Sequence, residues 1–282
     1  MNTIGSLCTG YGGLDEAAKA FFDAKTVWVA DNDPQVCKWL SEALPNVPNL
    51  GDITKIDWTK VRPVDILTAG YPCQPFSLAG KRKGTGDNRH IWPYIREAVR
   101  VLRPHHVFLE NVPGHRIRGF GEVLGDLAEM RYDARWVSLP ASGVGAPHRR
   151  ERVFILATDA DSSRQLRDGG RSSRSFRGHE PSDLRHSPHE WWIADDGTDY
   201  TATIRRWERV TGHVAPPPKV RSKRTQSGWV LNEKFVEWMM GLVPGHITAK
   251  SLPVGAQKKM AGNGVVPQQA YRALEILFEE EF

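Results

Sequence analysis

A cysteine follows a proline in the turn Ala69-Gly70-Tyr71-Pro72-Cys73-Gln74-Pro75-Phe76-Ser77. Just before it, Val64 to Ala69 is a short apolar run bounded by turn residues, which predicts a buried strand. Gly70 and the two prolines force a sharp, irregular turn. A thiol on a stiff loop at a strand's end sits where open α/β sheets do their chemistry. Part of it is already thiolate near neutral pH, which makes it a strong nucleophile. An isolated free cysteine is more often a small buried residue. Here the flanking prolines and glycine make a poor core segment, and other residues supply matching chemistry. In Glu110-Asn111-Val112 a carboxylate closes another apolar run and points towards the same crevice. Partly desolvated, such a glutamate can hold a proton against a ring nitrogen. The alternative is a surface acid near a turn. In Ala146-Pro147-His148-Arg149-Arg150-Glu151-Arg152, Arg150 and Arg152 can bind a carbonyl oxygen or phosphate if they point the same way. Otherwise they are surface arginines.

A second group of residues suits a ligand. Gly10, Gly12 and Gly13 follow one strand and open a helix, so the backbone can approach a ligand beside free helix N–H groups. Asp31 ends the next strand, where an acid can accept hydrogen bonds from ribose hydroxyls. Gly51-Asp52-Ile53 is a further acid-bearing turn. Each aspartate can equally be a helix cap. Together they describe an adenosine-type pocket without the full pyrophosphate fingerprint.

The elements that must position these residues alternate. Strands are expected at Thr3 to Leu7, Thr26 to Ala30, Val64 to Ala69, His105 to Glu110 and Arg152 to Ala157. Helices are expected at Leu14 to Phe22, Pro34 to Leu44 and Ile91 to Leu102. The pattern implies an α/β fold with a Rossmann-like, doubly wound, mostly parallel sheet. After Ala157 the chain turns rich in Ser, Arg, Gly and Asp up to about Ser187, which reads either as a solvated loop or as a nucleic-acid contact. Three prolines end at Pro218, a basic stretch runs from Lys219 to Arg224, and helical periodicity returns from Leu231 to Gly241 and from Gln268 to Phe282. The expected division is a first domain over 1–158, a smaller insertion or second domain over 159–254, and a segment returning to the first domain over 255–282.

The chain has 282 residues, 40% of them hydrophobic, enough for a core of this size. The net charge of +5 favours a polyanionic partner. Three cysteines make no disulfide framework and suit a reducing cytoplasm. There is no signal-peptide pattern at the N-terminus, and no apolar run reaches the roughly 20 residues of a membrane span. Trp191, Trp192, Trp207 and Trp229 lie beside charged residues, which suits stacking surfaces and ordinary packing alike.

In order along the chain, these motifs resemble those of the C5-cytosine-specific DNA methyltransferase family. Ser6 to Asp15 resembles its first S-adenosylmethionine motif, with Cys8 where the family usually has phenylalanine. Pro72-Cys73-Gln74 matches the nucleophile motif, Glu110-Asn111-Val112 the acid motif, and His148 to Arg152 the Gln-x-Arg-x-Arg motif, with His148 for glutamine. Gly262-Asn263-Gly264-Val265 resembles the last motif, where serine is commoner than Gly264. Leu231 to Pro244 stands in for the segment that leaves the recognition region.

The resemblance implies an S-adenosylmethionine-dependent methyltransferase fold, with the cofactor held by Cys8, Thr9, Gly10, Tyr11, Gly12, Gly13, Leu14, Asp31, Asn32, Asp52, Ile53, Gly70, Pro72, Asn263, Gly264 and Val265. No metal is expected. The implied catalytic residues are Cys73, Glu110, Arg150 and Arg152. Cys73 adds to cytosine C6, Glu110 serves N3 and Arg152 holds O2, so that C5 becomes nucleophilic enough to take the methyl group. The base must be flipped out of its stack. Gln74, Ser77, Lys81, Arg82, Lys83, Arg89, Lys219, Arg221, Lys223 and Arg224 are the implied DNA contacts, with Ser77 to Arg89 a mobile active-site loop. The expected partner is double-stranded DNA, with a cognate restriction endonuclease in a restriction–modification setting, for a chain acting as a monomer away from membranes. An RNA (tRNA) cytosine-C5 methyltransferase shares the motifs. The long insertion favours DNA, because it leaves room for a sequence-reading domain. A catalytically inactive DNA-binding relative is disfavoured by the intact Cys73, Glu110 and Arg152.

Overall fold

The computed structural model describes residues 1–72, 91–117, 119–161, 187–222, 225–226 and 228–279. Cys73, Gln74, Ser77, Lys81, Arg82, Lys83, Arg89, Lys223 and Arg224 lie outside them, as does most of the Ser/Arg-rich stretch.

A six-stranded sheet forms the centre. In chain order its strands are β1 (Asn2–Leu7), β2 (Ala24–Ala30), β3 (Ile66–Gly70), β4 (His106–Asn111), β5 (Tyr132–Pro140) and β6 (Glu151–Asp159). The spatial order is β2-β1-β3-β4-β6-β5. β1 pairs in parallel with both β2 and β3, and β3 pairs in parallel with β4. β6 runs antiparallel to both β4 and β5. The sheet is therefore the expected mostly parallel one, with β6 alone reversed. From β1 the chain steps outward to β2 and then returns to the other side at β3. That reversal opens a crevice beyond the carboxyl ends of β1 and β3, the usual ligand position in such sheets.

The strands are apolar along their length because helices cover both faces. On β4, Val107 and Leu109 face one side and Phe108 the other; on β6, Val153 and Ile155 oppose Phe154 and Leu156. One face packs under α3 (Trp92–Leu102) and α4 (Phe120–Glu129), through Ile95, Val99, Val123 and Leu127. The other packs under α1 (Gly13–Phe22) and α8 (Pro267–Glu279), through Leu14, Ala18, Phe22, Ala270 and Leu274. Thus the last helix returns to the sheet. α4 and β5 fall between the expected elements. β5 is an edge strand with an exposed Trp136 and interleaved polar residues, so it lacks the apolar run of its neighbours.

Beyond the sheet come α5 (Thr201–Thr211), the hairpin β7 (Lys219–Arg221) and β8 (Trp229–Leu231), α6 (Glu233–Met239) and α7 (Val254–Asn263). Their core joins Trp192, Trp207, Trp238 and Met240 to Trp39 and Leu40 of α2 (Pro34–Ala43) and to Tyr11 of the glycine turn. Trp192 and Trp207 are thereby packing residues, whereas Trp191 and Trp229 stay partly exposed. No helix among the described residues is long and apolar enough to cross a membrane.

Candidate active site

The crevice holds a cavity of 560 Å³. Its wall brings together most of the residues expected to hold a cofactor: Cys8, Thr9, Gly10, Gly13, Leu14, Asp31, Asn32, Ile53, Gly70, Pro72, Asn263, Gly264 and Val265. Glu110 and Arg152 line it as well.

The glycine turn hangs from the ends of β1 and β2. Gly10 and Gly12 have φ of 57° and 76°, a region that favours glycine. The Gly10 N–H donates to an Asp31 carboxylate oxygen (3.0 Å), and the Asp33 N–H donates to the other (3.0 Å). Burial raises the Asp31 pKa against these bonds. Asp52 accepts from the N–H and the hydroxyl of Thr54, which lowers its pKa, and it also bonds Asn32. It is thus a cap that steadies a wall residue and is not itself in the wall. Cys8 is also in an uncommon backbone region (φ 51°), and its N–H donates to the Ala30 carbonyl (2.8 Å). Burial, aided by Asp31, pushes its thiol up to about 12, so it is protonated at neutral pH.

The first and last motifs interlock. The Tyr11 hydroxyl donates to the Val265 carbonyl at 2.5 Å. Its ring fills the space in which a side chain at position 264 would begin: a Cβ there would lie 1.8 Å from a ring carbon. Gly264 is therefore the partner that a tyrosine at position 11 requires. Tyr11 and Gly12 support the wall from behind rather than lining it.

Glu110, the penultimate residue of β4, faces Arg152 at the start of β6, with Nε to Oε1 at 2.8 Å. The antiparallel pairing of β4 with β6 sets these ends side by side. Burial raises the Glu110 pKa to about 7, with Arg152 and Arg150 opposing it. The carboxyl group therefore exchanges its proton near neutral pH, which suits proton donation to a ring nitrogen. Arg150 does not share the Arg152 position. It sits at φ 27°, and its guanidinium donates to the Gly264 carbonyl, bracing the last motif. His148, whose pKa burial lowers, donates from Nε2 to the Met239 carbonyl at 2.8 Å and so ties this segment to α6.

Pro72, at the cavity rim, is the last described residue before Cys73. The residue before it is held twice. Asn111 Nδ2 donates to the Tyr71 carbonyl (3.2 Å), and the Tyr71 hydroxyl bonds His115 Nε2 (2.9 Å). Of the implied DNA contacts, Lys219 and Arg221 are described. Both are exposed on β7, and Arg221 lies over the Trp229 ring, 4.4 Å from its centroid.

The wall also contains Thr68, Ile91 and Met260, which lie outside the motifs, and Ser6 and Asp15, the two ends of the first motif, to which no role was assigned. Asp15 had a sequence signal. It stands three and seven residues before Ala18 and Phe22, on the buried face of α1.

The family model for C-5 cytosine-specific DNA methylase matches residues 2–224. The chain belongs to this family. It is 32% identical over 273 residues to the type II methyltransferase M1.ScrFI of Lactococcus lactis subsp. cremoris, covering 94% of this chain and 67% of that protein. It is 33% identical over 207 residues to M.AquIA of Picosynechococcus sp., covering 65% of this chain and 76% of the relative. Of three further type II relatives it spans only 34% to 44%. The structure of the S. pombe Dnmt2 methyltransferase superposes with a TM-score of 0.66 at 15% identity, covering 100% of both chains, so it shares the fold.

Proposed function

We propose that the protein methylates C5 of cytosine in a specific sequence of double-stranded DNA, with S-adenosylmethionine as the methyl source and Cys73 as the nucleophile. The observation that carries this reading is the buried Glu110–Arg152 pair in the wall of the same cavity that Asp31, Ile53 and the glycine turn line. The fit to the cofactor rests on three features. An acid at the end of β2 suits ribose hydroxyls, Ile53 offers an apolar face to an adenine, and the α1 N-terminus offers free N–H groups to a carboxylate. S-adenosylmethionine, when bound, supplies an electrophilic methyl group.

The chain's own residues prepare the base. Cys73 adds through sulfur to C6 and breaks the ring's conjugation. Glu110 donates a proton or hydrogen bond to N3, so that charge does not build on the ring. Arg152 holds O2. Loss of the C5 proton and departure of the sulfur restore aromaticity. Cys8 and Cys37 are poor rivals for the nucleophile. Burial raises the pKa of both, and the Cys37 thiol donates to the Asp31 carbonyl at 3.1 Å.

Residues 159–254 are assigned to target recognition and 1–158 with 255–282 to catalysis, supported by the exposed basic β7–β8 hairpin outside the sheet. This reading sets the protein on DNA in a reducing cytoplasm, beside a cognate endonuclease where one exists. Incubation with duplex DNA and methyl-labelled S-adenosylmethionine should yield 5-methylcytosine, and Cys73→Ala should yield none while still binding both ligands. A duplex carrying 5-fluorocytosine should become covalently attached at Cys73. Attachment at Cys8 or Cys37 would refute the assignment.

A further inference from the structure

The floor of the cavity carries a negative charge that the reaction above does not use. Asp15 is 3% exposed and lines the cavity with Ser6 of β1 and Thr68 of β3, which are equally buried. The Thr68 hydroxyl donates to one carboxylate oxygen, and Ser6 also bonds the group. The other oxygen lies beneath Gly12, where a Cβ would stand 3.8 Å from it. Among the described residues Asp15 makes no ion pair. Lys19, one turn along α1, is taken by Glu16 at 2.9 Å. Burial lifts the Asp15 pKa to about 6, against the Thr68 bond and Lys19, so the group is mostly ionised at neutral pH. A buried carboxylate without a cation is costly unless something else compensates it.

Its position says what does. Asp31 and Ile53 mark the β2 side of the cavity and Glu110 the β4 side, with Ser6 and Thr68 on β1 and β3 between them. A ligand with its adenosine at Asp31 and its reacting end towards Glu110 must lay its amino-acid arm near the α1 N-terminus, over Asp15. That arm carries an ammonium group. Resting on the cofactor reading above, we propose that Asp15 is the counter-charge for the α-ammonium of the cofactor's amino-acid arm, with Thr68 as the residue that orients it.

The test is a calorimetric cycle with the product S-adenosylhomocysteine, which keeps the ammonium and lacks the sulfonium charge, and its des-amino analogue, with S-adenosylmethionine titrated alongside. The wild type should bind the des-amino analogue at least tenfold more weakly than S-adenosylhomocysteine. In Asp15→Asn that difference should shrink below twofold, because the partner of the ammonium is gone. Thr68→Val keeps the carboxylate but frees it, and should show an intermediate difference; it also serves if Asp15→Asn does not fold. Equal losses of both ligands in Asp15→Asn would make Asp15 a tether between α1 and β3 and overturn the proposal. A loss confined to S-adenosylmethionine would assign Asp15 to the sulfonium and overturn it too. A wild type that binds no S-adenosylhomocysteine would remove the cofactor reading and this inference together. Binding that is normal in both proteins would remove this inference alone.

Discussion

Among the described residues, 2–159 are organised by the long ladders of the central sheet, whereas 187–252 have two short α-helices, one short hairpin and an isolated bridge, and hold the loops between them with buried side chains. Glu237 of α6 accepts from the N–H groups of Gly245, Ile247 and Thr248 and from the Thr248 hydroxyl, at 2.6 to 2.9 Å. Glu208 of α5 accepts from the Ser187 hydroxyl (2.7 Å) and the Ala215 N–H (3.0 Å). Three indoles donate to main-chain carbonyls: Trp207 to Trp238 in the last turn of α6, and Trp238 to His213 and Trp39 to His246 in loops. The segment that Glu237 organises then touches the glycine turn, since His246 Nε2 bonds the Tyr11 carbonyl at 2.9 Å. Loops held by a few polar hubs can vary in sequence around those hubs, while a ladder constrains every residue. That difference suits the proposed division between a catalytic sheet and a recognition region.

The largest effect should come from a hub. Glu237→Ala strands several buried donors at once and should cost about 3 kcal/mol or more in urea unfolding. Asp65→Ala removes the carboxylate that accepts from the Thr3 N–H and hydroxyl, yet β1 stays in its ladder, so the loss should be about 1 kcal/mol. Equal costs for the two variants would dissolve the contrast between ladder and hub.

On the sheet side, charge burial should dominate over hydrogen-bond loss, and pH reads it. Folded Glu110 titrates at about 7 against an ordinary 4.5, so between these values the folded state binds more protons than the unfolded one. The Glu110 contribution to stability therefore falls as pH rises through that window, and is level on either side. Relative to the wild type, Glu110→Gln should gain up to about 3 kcal/mol between pH 4.5 and 7. A constant difference across the window would mean that Arg152 fully offsets the burial.

The interlock of Tyr11 with Gly264 should give a middle-sized, non-additive effect. Gly264→Ser forces its side chain into the Tyr11 ring and should cost about 1–3 kcal/mol. With Tyr11→Ala in place the same substitution should cost far less, because the ring is gone. Additive losses in thermal unfolding would show that position 264 is constrained by something other than Tyr11.

What was legible in the sequence follows the same division. Strand periodicity and the glycine turn placed Asp31, Glu110 and Pro72 at strand ends, where the structure also has them. The sequence could not separate Arg150 from Arg152, because a backbone at φ 27° turns one of them to Gly264. Nor could it show that Tyr11 and Gly264, so far apart in the chain, share one volume. The hubs were hidden for another reason. Glu208 lies within Arg205-Arg206-Trp207-Glu208-Arg209, which reads as a solvated face, yet its side chain is fully buried. Only tertiary packing distinguishes such a glutamate from a surface one.

The smallest effect belongs to the hairpin. Arg221 is exposed and stacks over Trp229 across the β7–β8 pair. Such a contact contributes about 0.5–1 kcal/mol at an exposed site, so Arg221→Ala should barely move the unfolding midpoint. Neither the sheet ladder nor the hubs depend on it. Its loss should show on DNA instead, if the guanidinium contacts a phosphate. One lost contact should flatten the dependence of log affinity on log salt by about one unit, equally for cognate and unrelated duplexes. The methylated sequence should not change, because a phosphate contact sets register and carries no base information. Trp229→Ala separates the two roles: it removes the stack and keeps the charge, so the salt slope should hold while the midpoint shifts as little as in Arg221→Ala. An unchanged slope in Arg221→Ala would make the arginine a cover for the indole. An altered target sequence would move it from holding the DNA to reading it.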